Sequence, residues 1–128
     1  MDYSTIVTSD TTFAWQSATI RRLAKEGPCV IIGRCADHVL RGTPGVVSLF
    51  LYADYEARVD HITQKYQLSR GDAILIDETE KERARYYKRH TGQEFARMEN
   101  YDLCLNTASV NREMAILLLK AFVENQEN

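Results

Sequence analysis

The 128-residue sequence contains no apolar run near the roughly 20 residues that a membrane-spanning helix requires. Its opening, Met1-Asp2-Tyr3-Ser4-Thr5, lacks a basic stretch followed by an apolar one, so no secretory leader is read. A cytoplasmic protein without a membrane partner is expected. Charge of one sign is also missing. With 16 Lys and Arg against 18 Asp and Glu, the formal net charge is −2, which argues against a nucleic-acid partner captured by bulk positive charge. Cysteine is scarce: Cys29, Cys35 and Cys104 are an odd count and are not spaced as zinc ligands. A disulfide framework is excluded, and buried reduced thiols are expected. His38, His61 and His90 are scattered, with no acid or cysteine at ligand spacing, so neither a metal site nor a catalytic triad is expected. Ser69 lacks a His–Asp pair and reads as a helix cap. Repeats and low-complexity tracts are absent.

What is present is an alternation of helical and strand patterns. The length suits one domain, residues 1–128, with its own core. Residues 3–8 have β-branched character and suit a short strand. A helix is expected over 13–25, ended by Gly27-Pro28, with Trp15, Ala18, Ile20 and Leu23 toward the core. Residues 29–33 read as a strand buried on both faces, because four apolar residues follow one another. A short helix over 36–40 is stopped by Gly42, Pro44 and Gly45. Residues 46–52 form the next strand. Asp54 caps a helix to about Tyr66. Ser69-Arg70-Gly71-Asp72 resembles a capping box opening a long helix to about His90, closed by Gly92. A loop over 93–100 leads to a strand at 101–106, and a helix over 112–124 is apolar around much of its circumference. That last helix is therefore expected to be buried or to meet a partner. Strands alternating with helices imply an α/β fold: a three-layer parallel sheet with helices on both faces.

The chemistry concentrates at the exit of the strand over 29–33. Gly33 permits a sharp turn. Arg34 then presents a planar fork of donors just past the strand's carboxyl end, where open α/β sheets hold ligands and where a guanidinium suits phosphate. A surface arginine that merely caps a helix stands beside this as the plain alternative. Lys81, Arg85 and Lys88 or Arg89 share a stripe at helical spacing and would converge on a triphosphate. The interleaved Glu78, Glu80 and Glu82 equally suit a solvated face of ion pairs. Tyr86 and Tyr87 suit stacking on a base or packing on the core. Cys35, beside Arg34, is either a thiol of lowered pKa or a plain small residue.

With these elements placed, the chain resembles the cytidylate kinase-like family of P-loop nucleotide kinases. The resemblance runs over about 13–124. It is carried by Gly27-Pro28-Cys29-Val30-Ile31-Ile32-Gly33-Arg34-Cys35-Ala36-Asp37, by Leu49-Phe50-Leu51-Tyr52-Ala53 with Glu56-Ala57-Arg58, by Lys81-Glu82-Arg83 with Tyr86-Tyr87, and by Tyr101-Asp102-Leu103-Cys104-Leu105-Asn106-Thr107. It implies ATP-dependent phosphoryl transfer to a nucleoside monophosphate, with Mg²⁺; a non-catalytic nucleotide-binding or regulatory module, or a nonfunctional fragment, stands beside this as the alternative. On this resemblance Gly33, Arg34 and Asp37 hold the monophosphate. Cys35 stands where the family's Gly-Arg-Asp element has its acid, and Asp37 takes part of that role. Arg83 and Arg85 are the lid arginines on the transferred phosphate. Arg58, Asn106 and Thr107 border the ATP.

The Gly-rich, Lys-bearing phosphate loop of such kinases, G-x-x-x-x-G-K-[ST], is nowhere in the sequence. Gly42-Thr43-Pro44-Gly45 lacks the lysine, and Gly71 is followed by the acid Asp72. The resemblance thus implies the C-terminal part of a kinase, its first strand missing from between the strands at 29–33 and 46–52. Three outcomes are open: the two strands pair directly, residues 3–8 fill the place, or a second chain supplies a strand. A nucleotide ligand and a homo-oligomer are the partners expected.

Overall fold

The structure, a computed structural model, describes residues 9–126. Five helices and two strands alternate along it. The helix α1 spans Ser9–Glu26, with Asp10 in its first turn and Lys25 in its last, both matched to the helix dipole. The predicted strand at 3–8 lies outside the described residues. One face of α1 is covered: Ser17 and Ile20 are buried and Phe13, Gln16 and Ala24 are half-buried. These positions recur at helical spacing. Trp15, Ala18 and Leu23, expected in the core alongside Ile20, are instead exposed. The helix carries two apolar stripes, and among the described residues only one is covered.

Residues 28–32 run without a ladder partner among the described residues. Ile31 packs on the cluster of Ile20, Ala36 and Leu40, while Val30 and Ile32 are 91% and 89% exposed. The period of two is that of a strand with one face on the core and the other uncovered. The expectation of a doubly buried strand is corrected, because apolar residues alone cannot supply the neighbour that makes a segment a strand. Among the described residues, 28–32 does not join the sheet, which has two strands. Helix α2, Ala36–Val39, completes the packing against α1.

The sheet has two parallel strands, β1 (Leu49–Tyr52) and β2 (Leu103–Asn106), in register from Leu49 opposite Leu103 to Tyr52 opposite Asn106. Both are shorter than the expected 46–52 and 101–106. Their approach is set by a clasp just before the ladder: the Asp102 carboxylate accepts from the Ser48 amide at 2.8 Å and from its hydroxyl at 3.3 Å. Direct pairing of 28–32 with 46–52 does not occur among the described residues.

Helix α3, Tyr55–Tyr66, starts where Asp54 accepts from the Ala57 amide at 2.7 Å. Its Val59 is the most deeply buried large side chain among the described residues. Helix α4, Ala73–Thr91, follows a 3-10 turn over Arg70–Asp72, in which Asp72 reaches back to the Ser69 amide and hydroxyl at 3.2 and 3.0 Å. Gly92, at φ 75°, closes α4 in the left-handed position that glycine adopts without strain. Helix α5, Arg112–Glu124, is capped by Asn111, which accepts from the Met114 amide at 2.8 Å. Of the two expectations for α5, to be buried or to meet a partner, burial is met only on the half-buried stripe of Ala115, Leu119 and Phe122, while Met114, Ile116, Leu117, Leu118 and Val123 are exposed.

Candidate functional site

The segment that leaves 28–32 turns left-handed three times in succession, with φ 71° at Gly33 and 59° at both Arg34 and Cys35. For residues that carry a Cβ this region costs about 1–2 kcal/mol each. Its consequence is a switch of direction. Cys35 and Ala36 are buried, and the Ala36 amide donates to the Gly33 carbonyl at 3.1 Å, while Arg34 stays exposed. Burial, with Asp37 adding to it, pushes the Cys35 thiol up to about 11. Of the two readings of Cys35, this favours the plain small residue, since burial and the Asp37 charge both disfavour the thiolate.

Arg34 borders a cleft of about 290 Å³ whose other walls are Trp15, Gln16, Thr19 and Ile20 of α1. Its guanidinium has no hydrogen-bond or ion-pair partner among the described residues. Tyr86 of α4 stands at the rim and donates its hydroxyl to Gln16 Oε1 at 3.2 Å. Burial holds the Tyr86 phenol above its usual range, the Cys35 thiol adds to this, and the Arg34 guanidinium opposes it. The rim is braced from behind: His90 stacks on Phe13 at 4.4 Å and sits 4.4 Å from Tyr86.

Helix geometry separates the two expected lid arginines. Arg83 lies three and four residues before Tyr86 and Tyr87, hence on the face of α4 that meets α1 and α2, one turn nearer the helix start. It is exposed and has no partner among the described residues. Arg85 is two positions on, roughly 200° around the helix, and pairs with Glu82 at 2.7 Å. Lys88 and Arg89 also meet acids, Glu94 at 3.0 Å and Asp10 at 3.6 Å, as the solvated-face alternative requires.

The remaining expected residues are engaged elsewhere. Asp37 accepts from the Tyr87 hydroxyl at 2.7 Å and pairs with Arg41 at 3.4 Å. It lines a different cleft of about 440 Å³, whose wall also carries Glu99 and Asp102 against the single guanidinium of Arg41. Three carboxylates there disfavour a phosphate. Burial, with Asp37 and Tyr87 adding to it, holds the Tyr101 phenol in that wall far above its ordinary range, so it stays a neutral donor. Arg58 is forked onto Glu80, at 2.6 and 3.0 Å, and also donates to the Ala53 carbonyl, which ties α3 to α4. Asn106 and Thr107 form the turn after β2: Asn106 Oδ1 accepts from the Ala108 amide at 3.0 Å, and Thr107 donates its amide and hydroxyl to the Tyr52 carbonyl at 2.8 and 3.2 Å.

The structure therefore brings Arg34 beside Trp15 and Gln16, which were missed as site residues, with Tyr86 bonded to Gln16. The available signal was the second apolar stripe of α1, on which Trp15, Thr19 and Leu23 recur at intervals of four. Among the described residues no group of three or more His, Cys, Asp and Glu side chains is placed to hold a metal ion, and no helix is long and apolar enough to cross a membrane.

A model of the cytidylate kinase-like family matches residues 2–109. No curated protein matches. Among solved structures, the crystal structure of an uncharacterized protein from Eubacterium ventriosum superposes with a TM-score of 0.82 at 20% sequence identity, over 89% of this chain and 65% of that one. At that identity the likeness speaks for the fold alone. This chain spans about 65% of the length of that protein.

Proposed function

The chain belongs to the cytidylate kinase-like family, and on that premise we propose that these residues bind a nucleoside monophosphate whose phosphate is held by Arg34. The observation that carries the reading is the combination at Arg34: a strained left-handed backbone, an exposed guanidinium without a partner among the described residues, and a cleft free of carboxylates beside it. Backbone strain persists where the surroundings enforce it and collects at sites of function. A guanidinium left unpaired beside a cleft suits an incoming phosphate bidentately.

ATP and Mg²⁺, which the family resemblance implies, fit the remaining side chains poorly. Arg58 is engaged by Glu80 and Ala53, Asn106 is used within its own turn, Thr107 is tied to the Tyr52 carbonyl of β1, and among the described residues no group of three or more His, Cys, Asp and Glu side chains is placed for the ion. The sheet of P-loop kinases is the fuller architecture on this reading, with β1, β2 and residues 28–32 as parts of it. Self-association belongs to the same reading, because Val30 and Ile32 leave an apolar strand face uncovered.

Calorimetric titration with the four common nucleoside monophosphates tests the assignment. Arg34→Ala is expected to weaken binding by about 1.5–3 kcal/mol, the range for a hydrogen bond to a charged group. Equal affinity in both proteins would remove Arg34 as the anchor. Coupled assays with ATP and Mg²⁺ are expected to show no turnover, since no Lys-bearing phosphate loop is present in these residues. Rates of about 1–100 s⁻¹, usual for kinases, would overturn that expectation.

A further inference from the structure

We infer that the cleft between Trp15 and Arg34 is a base-stacking subsite, in which the indole of Trp15 covers the face of the nucleobase whose 5′-phosphate Arg34 holds. The inference rests on the monophosphate reading and deepens it.

The starting observation is an expensive exposure. Trp15 is 59% exposed on a helix whose neighbouring stripe is buried, although tryptophan is on average a highly buried residue. Its position is not free surface: it forms one wall of the cleft with Gln16, Thr19, Ile20 and Arg34. The volume, about 290 Å³, lies just under the ~300 Å³ at which ligand pockets ordinarily begin. Such a space takes part of a nucleotide rather than all of it. Its walls match a nucleobase in kind, with an aromatic face, the apolar Ile20 side chain and few polar groups. Every base offers a π-face to an indole, so stacking tolerates the choice of base.

Polar features set the orientation. Gln16 Oε1 is occupied by the Tyr86 hydroxyl, which leaves the amide Nε2 of Gln16 as a donor for an acceptor on the base edge. Arg34, the one charged group in the wall, marks the phosphate end. The larger cleft at Asp37, Glu99 and Asp102 offers neither an aromatic platform beside an unpaired cation nor a charge balance that an anion tolerates.

Trp15 is the only tryptophan of the chain, so its fluorescence reports on this cleft alone. Three probes are titrated: a nucleoside monophosphate, ribose 5-phosphate and inorganic phosphate. The nucleoside monophosphate is expected to quench Trp15, while ribose 5-phosphate binds calorimetrically without quenching. Trp15→Leu is expected to lose about 5- to 150-fold in affinity for the nucleoside monophosphate, the range for one stacked base. Its affinity for ribose 5-phosphate should be unchanged, which also shows that the variant is folded. Arg34→Ala should weaken both. Binding of the nucleoside monophosphate with no quench and full affinity in Trp15→Leu would place the base elsewhere, overturning the subsite while the monophosphate reading stands. Absence of binding by all three probes would overturn both. A blue shift of Trp15 that grows with protein concentration, without ligand, would assign the cleft to contact between copies and overturn the subsite.

Discussion

Replacing Arg34 by glycine should make the protein more stable and less able to bind. Arg34 sits at φ 59°, directly before Cys35 at the same value. A residue with a Cβ loses about 1–2 kcal/mol in that region, and glycine does not. Glycine in turn adds about 0.5–1 kcal/mol of chain entropy to the unfolded state. Because the Arg34 side chain is exposed and without a partner among the described residues, little else is lost. The net is a gain of about 0.5–1 kcal/mol, which for a domain of this size raises Tm by about 2–5 °C. Alanine keeps the Cβ and therefore the strain, so Arg34→Ala should stay within about 0.5 kcal/mol of the parent. Both variants should lose affinity for a nucleoside monophosphate alike. Urea denaturation of the three proteins, followed by calorimetric titration, reads both quantities. If Arg34→Gly is no more stable than Arg34→Ala, the left-handed turn is unstrained and its backbone does not mark a functional site.

Asp37→Ala should cost about 1–3 kcal/mol in urea denaturation, because the buried Tyr87 loses the acceptor of its hydroxyl. Its affinity for monophosphate should hold, and a loss of affinity without loss of stability would return Asp37 to the ligand site. The Cys35 thiol is raised from 9.0 to about 11 in the fold. The unfolded chain therefore releases this proton first. The stability contributed is complete below pH 9 and falls away as pH rises toward 11, by about 2–3 kcal/mol. Denaturation curves of wild type and Cys35→Ala should converge by that amount over this window, and parallel curves would contradict the assignment. Sedimentation of the purified chain should show self-association that Val30→Lys with Ile32→Lys abolishes. A parent that remains monomeric at high concentration would show that the uncovered face of 28–32 needs no copy.

The sequence by itself determined what is settled within a few residues of chain. Asp54 and Asn111 place the starts of α3 and α5 because each carboxylate or amide oxygen reaches an amide three residues on. Gly92 ends α4 because it alone enters the left-handed region freely. The cation at the exit of 28–32 was legible for the same reason: Gly33-Arg34 follows an apolar run at a fixed offset. Tertiary structure decided whatever depends on a neighbour. Residues 28–32 have the alternation of a strand but no ladder among the described residues, since the hydrogen bonds of a strand belong to its partner. Helix α5 has an apolar circumference of which only the stripe of Ala115, Leu119 and Phe122 is partly covered among the described residues. Arg58 and Asp37 were read as ligand groups from their positions, yet Glu80 and Tyr87, 22 and 50 residues away, take up their donors and acceptors. Trp15 and Arg34, 19 residues apart in the chain, share one cleft only because the left-handed turn after 28–32 brings the guanidinium back across α1.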